Sequence, residues 1–184
     1  MLDHDLLQRL MTLLAELPSR RPHPGLPREL DLLFDRLRQE EPSPSAHEVE
    51  DLIWQVWAEE EDVAAGDGME AAIRALALRD LDEAELLLDR LAENYPTWPE
   101  VYNKRATLHF IDGEDNLALA DILRTLELEP RHFGALAGLG QICLRNGEPE
   151  AAAAAFHAAM RVNPHLIGAQ ALVEDLNETK PMLN

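Results

Sequence analysis

Residues 133–166 read FGALAGLGQICLRNGEPEAAAAAFHAAMRVNPHL, and this stretch decides the fold. Two runs rich in Ala and Leu flank Asn146-Gly147-Glu148-Pro149, a set of residues that breaks a helix and turns the chain. Pro164 then stops the second run, because it can neither donate a backbone hydrogen bond nor let the preceding residue stay helical. Stepping upstream in strides of 34 residues reaches Pro130 and Pro96. Other columns fall into line with them: Ala84, Ala118 and Ala152; Leu88, Ile122 and Phe156; Ala72, Ala106 and Gly140; Leu76, Phe110 and Leu144. Arg79-Asp80, Gly113-Glu114 and Gly147-Glu148 mark the turn inside each unit.

These columns describe helix packing. Small side chains let two antiparallel helices approach, and the larger ones fill the space beside them. One hairpin cannot bury both of its apolar faces, so stacked hairpins complete the core. Helix pairs are expected near 68–78 with 82–94, 99–111 with 116–128, and 133–145 with 149–161. The 34-residue period, with its small, apolar and proline columns, resembles the tetratricopeptide (TPR) repeat. Leu136, Leu139, Gly140, Gly147, Ala152, Phe156, Ala159 and Pro164 carry the resemblance best. The first unit departs from the pattern, with Gly68 where the family has a large aromatic; the second has Tyr102. The fold class expected is therefore all-α: a TPR-type α-solenoid of three helix-turn-helix repeats (65–98, 99–132, 133–166). An N-terminal helical segment or cap (1–64) precedes it, with a C-terminal capping helix and tail (167–184) after it.

The N-terminal segment breaks the period, since the strides put Glu50 where alanine belongs and Asp62 where proline belongs. Its helical stripes are clear nonetheless. Leu6, Leu10, Leu13, Leu14 and Leu17 mark a helix over 3–17, followed by a Pro- and Arg-rich linker over 18–27. Leu30, Leu33, Phe34 and Leu37 mark a second helix near 28–40. Ser45 and Glu48, following Pro42 and Pro44, form a capping box for a third near 45–61. That helix carries Val49, Leu52, Ile53, Val56 and Trp57 on one side and Trp54 near its edge. The second and third helices are expected to cap the first repeat, and helix 3–17 to dock on its own chain. At the other end, Ile167, Ala171, Leu172 and Leu176 are expected to face the array, with the tail from Thr179 frayed.

Nothing in the sequence signals catalysis. Gly134, Gly138 and Gly140 fit close helix packing rather than a phosphate loop, and no strand precedes them. His132, His157 and His165 lack metal-site spacing, and the serines Ser19, Ser43 and Ser45 all lie in N-terminal loops. Cys143 is the sole cysteine, flanked by Ile142 and Leu144, and reads as a buried structural thiol. No enzyme activity, cofactor or metal is expected. The formal net charge of −19 repels phosphate backbones and anionic bilayers, so neither nucleic acid nor membrane insertion is expected. The N-terminus lacks a basic start and apolar run, which points to the cytoplasm, or to the periplasm if a leader has been removed.

What remains is a protein-protein interaction module. The TPR resemblance implies a right-handed superhelix whose inner groove is lined by the first helix of each unit and binds a peptide or helix of another protein. The positions it implies are Met69 and Ile73, then Glu100, Asn103, Lys104 and Thr107, then Ala137, Gln141 and Arg145. Chaperone-binding members clamp a carboxylate with Lys, Arg and Asn, whereas the first unit here offers apolar Met69 and Ile73. Lys104 and Arg105 either form a small basic spot or pair with nearby Asp and Glu. Tyr102–Thr107 and Arg131–Leu136 also look similar to small bacterial TPR proteins with a helical N-terminal segment, many of them exported. Arg131 and His132 serve either packing or recognition. A self-associating scaffold, a homodimer in which helix 3–17 fills a neighbour's groove, is the alternative.

Overall fold

The computed structural model describes residues 1–39, 44–60 and 62–178. Its helices are α1 (His4–Glu16), α2 (Glu29–Gln39), α3 (Pro44–Ala58), α4 (Val63–Leu78), α5 (Leu81–Asn94), α6 (Pro99–Asp112), α7 (Asp115–Leu128), α8 (Phe133–Arg145), α9 (Pro149–Val162) and α10 (Ile167–Glu178). No strand occurs among the described residues. The helices pair as α4 with α5, α6 with α7 and α8 with α9, and each pair stacks on the next. This is the all-α solenoid expected from the periodicity.

The turn column works by one mechanism in all three pairs. Arg79, Gly113 and Gly147 take positive φ values of 59°, 86° and 75°. The following N–H then reaches back five residues: Asp80 to the Ala75 carbonyl at 2.9 Å, Glu114 to His109 at 2.8 Å and Glu148 to Cys143 at 2.9 Å. That backward bond satisfies a carbonyl the helix end would otherwise leave open. The small-residue columns are tight as well. A Cβ placed on Gly140 would stand 2.6 Å from the Phe156 ring, so only glycine fits there.

Helix α4 starts at Val63, five residues before the expected position, because Asp62 caps it. The Asp62 carboxylate accepts the Ala64 N–H at 2.8 Å and the Tyr95 hydroxyl at 2.7 Å. The Tyr95 hydrogen bond is the main cause holding that carboxyl below its ordinary range. Helix α3 begins at Pro44, one residue before the expected Ser45, so Ser45 lies inside its first turn. Proline suits the first turn, where its missing N–H has no intrahelical role. Pro42 and the tail from Thr179 lie outside the described residues.

The N-terminal helices settle where their stripes find cover. Helix α1 lies across α7 and α9, burying Leu7, Leu10, Leu13, Leu14 and Leu17 against Leu119, Leu123, Leu126 and Ala158. Docking on its own chain is thus what the structure has. The linker is fixed too, with the His23 N–H donating to the Leu128 carbonyl at 2.7 Å. Helices α2 and α3 depart from expectation. They reach the first unit at Trp98 and meet α6, but their core is built over the loops that lead into α8 and α10. Leu30, Leu33, Phe34, Leu37, Val49, Ile53 and Trp57 form one core with Phe133, bordered by Val162 and Leu166. The reason is aromatic complementarity: Phe133 meets Phe34, Trp54 and Trp57 with ring centroids 6.5, 5.2 and 5.0 Å apart. Leu52 consequently stays on the outside.

Helix α10 packs on α9 as a cap, but rotated from the expected face. Ala169 and Val173 are buried, Leu172 and Leu176 are half-buried, and Ile167 is 68% exposed. Cys143 is buried, and burial pushes its thiol up to about 11, as an inert core position requires.

Candidate functional site

The first helices α4, α6 and α8 lie side by side, on the face opposite α1. Between α6 and α8 runs a cleft of about 180 Å³ lined by Asn103, Ala106, Thr107, Phe110, Gly134, Ala137, Gly138 and Gln141. A second cleft of about 360 Å³ continues it between α3, α8 and α10. Ala137 and Gln141 belong to both, so the two form one trough. The floor is open because α8 contributes small residues, Gly134, Ala137 and Gly138, along its exposed side.

The expected groove positions divide sharply. Thr107 and Gln141 are exposed and Ala137 is half-buried, all on the trough. Asn103 lines it as well, though its amide is committed to Glu100 at 3.1 Å. The Gln141 side chain bonds no other described residue, which leaves both its donor and its acceptor for a ligand. Met69 does not line the trough: at 1% exposure it packs with Ala65, Ala72 and Leu88. Ile73 is 38% exposed but lines neither cleft.

Glu100 is fully buried, so it is unavailable to a ligand, and a network explains its burial. The His132 Nδ1 accepts the Ala135 N–H at 3.1 Å, which places the ring proton on Nε2. That Nε2 lies 2.9 Å from Glu100 Oε2, while Lys104 Nζ lies 2.8 Å from Oε1. Burial raises the Glu100 pKa, yet the His132 and Lys104 contacts outweigh it and hold the carboxyl below its ordinary 4.5.

The cations around the trough are spent in the same way. Lys104 pairs with Glu100 and sits 5.3 Å from the Trp54 ring centroid. The Arg105 guanidinium holds Asp121 through two bonds of 2.9 and 2.7 Å and Asp89 at 2.8 Å. Arg145 grips Asp115, donates to the Phe110 carbonyl at 2.9 Å and lies 3.8 Å from the Phe110 ring centroid. Charge pairing, not a basic spot, is what the structure has.

The run Arg131-His132-Phe133 also resolves into packing. Arg131 bridges Glu129 at 2.9 Å and Asp31 at 2.6 Å and lies 4.5 Å from the Phe34 ring centroid. The His132 ring stacks on Trp57 at 3.9 Å with an 8° tilt. Trp98 Nε1 donates to the Trp57 carbonyl at 2.7 Å. Together these contacts clamp α2 and α3 to the array. Gly134 admits Trp54 at the trough's edge, since a Cβ there would stand 2.3 Å from its ring.

Sequence reasoning missed the α3 wall, formed by His47, Glu50 and Trp54, and the far end at His165 and Ile167. Trp54 on the edge of an apolar stripe, opposite a glycine-rich helix, was the available signal.

Over 149 residues, 81% of this chain and 73% of the relative, the sequence is 30% identical to a TPR repeat-containing protein of Rhizobium etli. The chain belongs to the TPR family. No family model matches it. In this TPR protein the repeat columns build the helix pairs, while the N-terminal helices narrow the groove that the repeats create. Among the described residues no group of His, Cys, Asp and Glu is arranged to hold a metal ion, and no helix is long and apolar enough to cross a membrane.

Proposed function

We propose that this TPR protein is a non-enzymatic adaptor or assembly factor that binds a peptide segment or helix of another protein in the trough between α6, α8 and α10. The observation that supports the reading is the continuity of the two clefts through Ala137 and Gln141, with an apolar floor and an uncommitted amide at its centre. An apolar cleft with a few fixed polar groups suits a side chain held by packing and a backbone held by hydrogen bonds. Thr107, Ala137 and Gln141, with Asn103 beside them, are the positions this reading assigns to contact. The division into a segment of 1–64, units of 65–98, 99–132 and 133–166, and a cap after 166 belongs to the same proposal.

Paired cations make a carboxylate clamp a poor description of the trough, because binding an anion there would require breaking Lys104–Glu100 or Arg145–Asp115. The burial of the α1 leucines on α7 and α9 counts against α1 as a donor to a neighbour's groove.

The test is affinity purification from the native cell with wild type and a Thr107→Trp/Gln141→Ala variant. Thr107→Trp fills the α6/α8 cleft from an exposed position, so the fold is retained. Loss of a partner supports the groove, and recovery of the same partners in the same yield rejects it.

A further inference from the structure

The α3/α8/α10 cleft differs chemically from the rest of the trough. Its walls are mostly apolar, with Ala137, Phe156, Leu166 and Leu172 among them. Beyond the Gln141 amide at the border with the α6/α8 cleft, two acceptors are fixed around it. His165 Nε2 lies 3.0 Å from the Leu37 carbonyl, an acceptor, so Nε2 carries the proton and Nδ1 offers a lone pair. His165 is nine-tenths buried, and its Nδ1 has no hydrogen-bond partner. Native structures seldom leave such an atom unsatisfied without a reason.

The second acceptor is Glu50, half-buried on α3, whose carboxylate takes the Asn163 Nδ2–H at 3.0 Å. No cation pairs with it among the described residues. Asn163 is fully buried and also accepts the His165 backbone N–H at 3.0 Å, so one side chain sets both groups in place. The chain as a whole carries 35 acidic against 16 basic residues, and many of the basic ones are committed to ion pairs. The field at the cleft therefore favours a positive ligand.

We propose that this cleft receives a lysine or arginine side chain of the partner's peptide, its alkyl stem against the apolar wall and its charged end donating to Glu50. The proposal rests on the trough being the binding surface. Such side chains are suited to the cleft because they bury a hydrocarbon stem while presenting donors at the tip. Exposed Ile167 at the rim adds an apolar contact for the peptide's neighbouring residue.

The probe is a phage-displayed library of random dodecapeptides selected on the immobilised full chain and on three variants. Glu50→Gln keeps an acceptor for Asn163 but removes the charge. Gly168→Leu occupies the cleft, where a Cβ would meet nothing within 4 Å. Thr107→Trp blocks only the α6/α8 cleft. Wild type is expected to enrich peptides with Lys or Arg beside apolar residues. A synthetic copy with norleucine in place of the basic residue should bind about tenfold more weakly by fluorescence anisotropy, as loss of a charge-assisted hydrogen bond implies. Glu50→Gln should erase that difference, and Gly168→Leu should weaken binding. A consensus without a basic residue, or equal binding of the norleucine copy, overturns the proposal; continued sensitivity to Thr107→Trp would then leave the trough standing. Selected peptides indifferent to both Thr107→Trp and Gly168→Leu, or no enrichment at all, overturn both.

Discussion

Helix α8 places glycines at 134, 138 and 140 in three different surroundings, so one substitution, Gly→Ala, separates helix propensity from packing. Alanine at any of the three should gain about 1 kcal/mol of intrinsic helix stability. At Gly138 the new Cβ would lie 3.7 Å from Ile122 Cδ1, an ordinary contact, so the gain should survive as about 0.5–1 kcal/mol. At Gly140 it would lie 2.6 Å from two atoms of the Phe156 ring, which is almost wholly buried and has nowhere to retreat. Overpacking of that kind costs about 1–3 kcal/mol, leaving a net loss of up to about 2 kcal/mol. At Gly134 the clash is with Trp54, which is half-buried and can swing outward. That movement gives up the Lys104 contact and the edges of His132 and Phe133, for a net loss of about 0.5–2 kcal/mol. In a Trp54→Ala background the sign at Gly134 should reverse to a gain of about 1 kcal/mol. Urea denaturation followed by circular dichroism measures all of these at constant m-value. Equal shifts at the three sites, or a stabilising Gly140→Ala, would refute the assignment of these glycines to close packing.

Removing residues 1–26 strips α1 from α7 and α9 and should cost on the order of 3–5 kcal/mol. Light scattering should then show a monomeric full chain and an association-prone truncation; a full-length dimer that the truncation splits would contradict cis docking. Glu100 has a folded pKa below its unfolded one, so the stability it contributes is present above about pH 4.5 and is lost as pH falls through the lower folded value. Urea midpoints between pH 6 and pH 3 should fall for wild type and flatten in Glu100→Gln, whereas parallel curves would show that the network does not hold the charge. Arg79 adopts φ of 59°, so Arg79→Gly should raise stability by about 0.5–1 kcal/mol, measured by thermal unfolding. A loss there would mean the Arg79 side chain matters more than its backbone.

The repeats were legible because every unit states the same constraints in the same columns. Gly140 against Phe156 and the turn residues Gly113 and Gly147 could be read directly, since close approach and positive φ each demand a particular residue. The first unit's start was less legible, because an aspartate cap at Asp62 replaces the expected proline. The stripes of α1 and α2 gave their helices, but a stripe says only that a face is buried and not against what. Placement of α2 and α3 depended on Phe133, His132 and Arg131 meeting Phe34, Trp57 and Asp31, contacts across 100 residues that no local pattern announces. The groove suffered most from this. Carrying the family's positions across assumed an open inner face, whereas Met69 and Glu100 are buried.

The position of α2 and α3 has a consequence for how a short array acquires selectivity. Three helix pairs offer little groove, and α3 takes up part of it where Trp54 rests over Gly134 and Lys104. In exchange α3 supplies a wall that the repeats alone lack, bringing Glu50 to the α8/α10 end and fixing it through Asn163. The same docking brings Trp54 to Lys104 and Asp31 to Arg131, adding to the ion pairs those cations make with Glu100 and Glu129. The surface left to a partner is therefore apolar at its centre and acidic towards α10. On the proposed reading, a non-repeat helix pair, held by aromatic contacts to one interrepeat loop, would set the charge preference of a groove whose shape the repeats provide.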